Sequence, residues 1–174
     1  MTLAQMKTNA STANAAHFEE CVGLVSSASA ELRSLSYLLH PPLMDVIGLG
    51  AAVQEFVSEF GKRAGIHITV DVAKGLGRLE GNREIVIFRI IQEGLANVHR
   101  HSGSATASVK LYYADQDVIL EVTDQGRGLA MDSEGKVKYG VGIKSMQERL
   151  RPFRGKLELN SSVRGTKLTA SLPR

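Results

Sequence analysis

Four short blocks in a fixed order constrain this chain more than its composition does. Glu93-Gly-Leu-Ala-Asn97-Val-His-Arg100-His101 comes first, then Asp124-Gln-Gly126-Arg-Gly128, then Gly140-Val141-Gly142, and last Gly165-Thr166. The first reads as a helix with a polar stripe. The second is a carboxylate at the end of a strand that runs into glycines, and the third is a glycine turn that opens a helix. Together they outline a pocket for a purine nucleotide whose phosphates lie under a loop.

Within the helix expected over 83–100, steps of about 100° per residue place Arg89, Glu93, Asn97 and Arg100 in one narrow arc. Phe88, Ile91, Leu95 and Val98 fall opposite and form the core stripe. An exposed polar stripe is usually only solvated. Asn, however, is a poor choice in mid-helix, and a Glu/Asn pair one turn apart offers oxygens to a hard cation. Mg²⁺ commonly takes one or two protein oxygens and completes its shell with phosphates and water. Asn97 would be the direct ligand, Glu93 would orient water or polarise an attacking group, and Arg100 and His101 would lie toward the phosphates.

In the strand expected over 118–124, Val118, Leu120, Val122 and Asp124 share a face. A carboxylate therefore stands where the core stripe ends, and a buried carboxylate must be paired or hydrogen-bonded. The exocyclic amine of adenine would satisfy it. So would the amides of Gln125 or Gly126, in a plain turn cap. Gly126 and Gly128 would let the backbone approach a ligand closely. Gly140-Val141-Gly142 would leave the amides at a helix N-terminus facing an anion, although a flexible loop ending in a helix is equally open there. Gly165 is expected at a hairpin turn.

The remaining pattern gives the architecture. The stretch 18–39 repeats Phe18, Val22, Val25, Leu32, Leu35 and Leu39 at helical spacing and stops at Pro41-Pro42. Such a helix must bury its stripe, in an intermolecular bundle or against its own domain. A helix over 51–63 ending at Gly65, a strand over 66–72, a hairpin of 107–113 with 118–124, a helix over 143–150 and a hairpin of 156–160 with 167–172 follow. The stretch 125–142 contains five glycines and no periodicity, which marks it as a functional loop. Helices set against mostly antiparallel strands predict an α+β, two-layer sandwich, with a helical segment at 1–46 and the main domain at 47–174.

Composition excludes several classes. The net charge is only +3 and the basic residues are scattered, so no nucleic-acid surface is expected. Cys21 is the single cysteine, which rules out an internal disulfide and a thiolate zinc site. No apolar stretch is long enough for a membrane span, and a cytoplasmic protein is expected, although a longer parent could still be anchored elsewhere.

The stretch from Ile90 to Gly142 resembles the ATP-binding domain of sensor histidine kinases, within the wider group shared with gyrase, Hsp90 and MutL. The Glu93, Asn97, Arg100-His101 block is similar to that family's N-box. Asp124, Gly126 and Gly128 match its first glycine box, Gly140-Val141-Gly142 its second, and Gly165-Thr166 its terminal Gly-Thr. Upstream, the run from Glu31 to Asp45 resembles the second dimerisation helix of the subfamily that pairs with LuxR/NarL-type response regulators. Met146-x-Glu148-Arg149 points the same way. The resemblance implies a Bergerat-type fold, Mg²⁺ on Asn97, adenine read by Asp124, a catalytic Glu93, and 125–142 as the lid over ATP. It also implies transfer of the γ-phosphoryl group to a histidine and then to a regulator's aspartate, in a homodimeric parent.

One departure matters. The His-Asp phosphoacceptor pair of that family is absent, because neither His17 nor His40 is followed by an acidic residue. The chain is therefore expected to bind ATP without phosphorylating itself, the histidine being supplied by a dimerisation helix of a parent protein. The rival readings are a non-catalytic nucleotide-sensing or dimerisation module and an ATP-hydrolysing member of the wider group.

Overall fold

Alternation of apolar and polar residues produces the sheet. In the strands β2 (Thr106–Ala114) and β3 (Asp117–Asp124), Val109, Leu111, Val118, Leu120 and Val122 are buried, while their neighbours face the other way. The same phase recurs in β5 (Gly165–Pro173) through Leu168, Ala170 and Leu172. The computed structural model describes residues 44–80, 82–129 and 140–174, together with Phe18, Cys21, Val22 and Val25. The chain divides into two compact units, Met1–Pro42 and Leu43–Arg174. In the first, the four described residues are helical. The rest of the helix expected over 18–39, with the dimerisation resemblance and His17 and His40, lies outside the described residues.

In the second unit five strands take the order β1-β2-β3-β5-β4, with β1 spanning His67–Val72 and β4 Lys156–Ser162. β1 runs parallel to β2 and every other pairing is antiparallel. Three helices cover the inward face: α1 (Met44–Ala64) on β1, α2 (Arg83–Asn97) on β3 and β5, and α3 (Val141–Leu150) on β4. This is the expected α+β, two-layer sandwich.

The close approach of helix and sheet has a local cause. A β-carbon on Gly94 would stand 3.3 Å from the Val122 side chain, so α2 lies almost directly on β3. Ile87, Phe88, Ile90, Ile91 and Leu95 of α2 are wholly buried between the sheet and the flanking helices. Each such side chain contributes about 1.5–3 kcal/mol. Phe56 of α1 packs on Phe88 with ring centroids 5.3 Å apart. Glu84 in the first turn of α2 is also buried, but Arg78 at 3.2 Å and the Leu79 amide at 3.0 Å satisfy it.

Three boundaries differ from expectation. α1 begins at Met44 and bends at Gly48, whose φ of 79° is open to glycine. The helix expected to run to Arg100 ends its α-winding at Asn97 and continues as a π-turn over Val98–Ser102. Gly165 is not the apex of the last hairpin. Val163 and Arg164 make that turn, and Gly165 opens β5 opposite Ser162. Among the described residues, no helix is long and apolar enough to cross a membrane.

Candidate functional site

At one end of the sheet, α2, the π-turn, the end of β3, the start of α3 and the β4–β5 hairpin enclose a cavity of about 630 Å³. That volume suits a small-molecule site. Val122, Leu159 and Leu168 from the sheet, with Ile143 of α3, supply its apolar lining.

α2 places Glu93 and Asn97 on the cavity side one turn apart, as expected. Because Asn97 is the last α-helical residue, its poor mid-helix propensity costs little there. The π-turn that follows is closed by Ser102 Oγ, which donates to the Val98 carbonyl at 2.8 Å, and by Gly103 at φ 68°. Such turns accommodate an extra residue and often mark functional sites. This one sets the position of Arg100. Its Nη2 donates to Glu93 Oε1 at 3.0 Å and to Asn97 Oδ1 at 3.3 Å, while Nε donates to the Ala96 carbonyl at 3.2 Å. Two oxygens thus converge on one cationic group, a donor set that also suits a hard metal cation. Arg89, one turn earlier, does not line the cavity and donates to Gln92 Oε1. Burial, then the neighbouring Arg149, lowers its pKa from the usual arginine value.

Asp124 ends β3 with 7% of its surface exposed. Gly126 N donates to its Oδ1 at 2.7 Å, so the turn cap weighed from sequence is present. The same side chain also lines the cavity, so cap and ligand contact are compatible. The carbonyl of Asp124 occupies the place where a β-carbon on Gly165 would stand. Gly165 is therefore required by close packing between β3 and β5, at φ 124°, and places Thr166 on the cavity wall.

The glycines divide by role. Gly128, Gly140 and Gly142 line the cavity, with Val141; Gly126 does not. A β-carbon on Gly126 would overlap the Ser102 carbonyl, so this glycine joins β3 to the π-turn instead. Arg127 reinforces the joint: its amide donates to Ser102 O at 3.0 Å and its Nε to His101 O at 2.8 Å. A β-carbon on Gly142 would overlap Glu93 Oε1, which brings the start of α3 against α2. Among the described residues, no side chain caps α3 at Gly140, and the start of this helix forms part of the cavity wall.

Every site residue named from sequence except Gly126 therefore faces one cavity: Glu93, Asn97, Arg100, His101, Asp124, Gly128, Gly140, Val141, Gly142 and Thr166. Sequence reasoning missed Arg127 and Leu129, which also line it. Arg127 sits at the unspecified position between two motif glycines, where nothing in the pattern singles it out. Residues 130–139 of the expected lid lie outside the described residues. Among the described residues, no group of three or more His, Cys, Asp or Glu is arranged to hold a metal ion. A cation here would depend on Asn97, Glu93 and oxygens of a ligand.

Residues 82–174 match the model of the histidine kinase-, DNA gyrase B-, and HSP90-like ATPase family. The chain is 35% identical over 154 residues to the sensor histidine kinase MctS of Rhizobium johnstonii, covering 88% of this chain and 33% of that protein. It is 33% identical over 152 residues to the sensor histidine kinase NarS of Mycobacterium tuberculosis, covering 86% and 35% respectively. The oxygen sensor histidine kinase NreB of Staphylococcus carnosus is 30% identical over 152 residues, covering 87% of this chain and 44% of that one. The chain thus spans from a third to under half the length of these relatives. In fold it resembles the histidine kinase domain of the Erythrobacter litoralis EL346 blue-light activated histidine kinase. The TM-score is 0.64 at 20% identity, covering 98% of this chain and 92% of that one. The chain belongs to the histidine kinase-, DNA gyrase B-, and HSP90-like ATPase family, and residues 82–174 are an ATP-binding domain of the kind found in sensor histidine kinases.

Proposed function

We propose that this domain binds Mg²⁺·ATP and serves as the catalytic part of a cytoplasmic protein-histidine kinase. The observation that carries this reading is the convergence of Glu93, Asn97, Asp124 and the N-terminus of α3 on one cavity. Asp124 accepts from the exocyclic amine of adenine while the Gly126 amide, donating to its Oδ1, holds the carboxylate in place. The first-turn amides at Gly140–Gly142 take the phosphates. Asn97 Oδ1 would hold the metal, whose charge when bound would offset that of the phosphates. Arg100, which lines the same cavity and bonds both oxygens, would supply positive charge to the triphosphate. Glu93 acts on the attacking histidine, orienting the nitrogen or accepting its proton. That histidine comes from a dimerisation helix of a homodimeric parent, and the phosphoryl group passes on to a response regulator of the LuxR/NarL type. The segment 1–46 is the partial dimerisation segment and 47–174 the catalytic domain.

The test is calorimetric titration of the purified chain with ATP, with and without Mg²⁺. Asp124→Asn should weaken ATP and adenosine alike, and Asn97→Ala should abolish the benefit of Mg²⁺. Unchanged affinity in both variants defeats the assignment. Adding a separate segment that bears a His-Asp pair should yield phosphohistidine from labelled ATP; binding without transfer would favour a nucleotide-sensing module.

A further inference from the structure

β4 directs Leu157, Leu159 and Ser161 to the same face, and Ser161 ends that row in a hydroxyl. Three contacts meet there. Leu129 N donates to Ser161 Oγ at 2.7 Å across 32 positions of sequence. Ser161 Oγ lies 3.2 Å from Thr166 Oγ1. Gly128, at φ 75°, runs so close to the hairpin that a β-carbon on it would overlap the Ser162 carbonyl and stand 3.0 Å from Ser161 Oγ. Leu129 and Thr166 both line the cavity, whereas Ser161 does not.

We propose that Ser161 is a positioning residue for nucleotide binding: its hydroxyl ties the backbone leaving β3 at Gly128–Leu129 to the Thr166 side chain. The proposal rests on the reading of the cavity as an ATP site. A serine hydroxyl has one hydrogen and two lone pairs. Leu129 N–H takes one lone pair of the oxygen, which leaves a lone pair and the hydroxyl hydrogen for the bond with Thr166 Oγ1, in which either hydroxyl can donate. Ser161 thereby sets the spacing of two cavity walls without touching the ligand.

The experiment uses the full 174-residue chain and compares wild type, Ser161→Ala and Ser161→Thr. ATP affinity is read by calorimetry, folding by thermal denaturation, and the Leu129 amide by hydrogen exchange without nucleotide. The wild-type amide should be protected. Ser161→Ala should remain folded, lose that protection and bind ATP on the order of tenfold more weakly. Ser161→Thr keeps the hydroxyl and should restore both. An unprotected Leu129 amide in the wild type overturns the proposal even if a variant fails to fold. Equal ATP affinity in a folded Ser161→Ala, or a threonine variant as weak as the alanine one, overturns it too. A wild-type chain that binds no ATP defeats the nucleotide reading itself, whereas wild-type binding matched by the alanine variant defeats only the role of Ser161.

Discussion

Gly142 and Glu93 meet across two helices so closely that a β-carbon on the glycine would overlap the glutamate Oε1. The overlapped atom is the tip of a flexible side chain, so the conflict is relieved by swinging the carboxylate away from Arg100. Gly142→Ala should therefore unfold at the same temperature or slightly higher, since alanine in a helix gains about 0.5–1 kcal/mol over glycine. ATP affinity should fall at the same time. Thermal denaturation and calorimetry on one sample check the opposed signs.

Gly126 presents the reverse case. Its neighbour is the Ser102 carbonyl, which is backbone and also accepts the Arg127 amide. It cannot swing aside. Gly126→Ala should destabilise the domain by about 1–3 kcal/mol, as overpacking does, measured as a lower urea midpoint with an unchanged slope.

The Arg100–Glu93 pair is exposed by 53% and 35% on its two sides, so screening leaves it little weight in stability. Arg100→Ala should shift folding stability by less than about 0.5 kcal/mol. The same change should weaken ATP strongly and adenosine hardly at all, because only ATP carries the phosphates. Titrations with both ligands separate the two contributions.

On the outer face of the sheet, burial raises the Glu121 carboxyl, but Lys167, Tyr112 and Lys110 together hold it below its ordinary value. Lys167 Nζ lies 2.6 Å from its Oε1 and Tyr112 Oη 3.1 Å away. A carboxyl depressed in the fold contributes stability above its unfolded pKa and loses it as pH falls through the folded value. Tyr112 shifts upward, through burial and then its bond to Glu121. Its contribution is present below the ordinary tyrosine range and is lost as pH rises through the folded value. Glu121→Gln should flatten the acid limb of stability against pH, read by denaturation at stepped pH.

Much of the sheet and core was legible because the period-two phase of Val118, Leu120 and Val122, carried on to Asp124, appears in the chain itself. The helical arc likewise placed Glu93, Asn97 and Arg100 on one side, and they do share the cavity. What stayed hidden are properties of pairs distant in sequence. Gly126 reads as a ligand-facing glycine, yet its neighbour is Ser102, 24 positions earlier. Gly165 reads as a turn residue, yet the Asp124 carbonyl demands it. The end of α-winding at Asn97 has no proline or glycine to announce it, since Gly103 comes six residues later.

The widened winding at Val98–Ser102 means that what a descendant of this chain must inherit is a count as well as a set of letters. Deleting one residue between Asn97 and Gly103 would draw the turn into ordinary α-geometry and pull Ser102 from its contacts with Gly126 and Arg127. It would also turn the guanidinium away from both oxygens. Chains that keep every motif letter but lose that one residue should be less stable and blind to ATP.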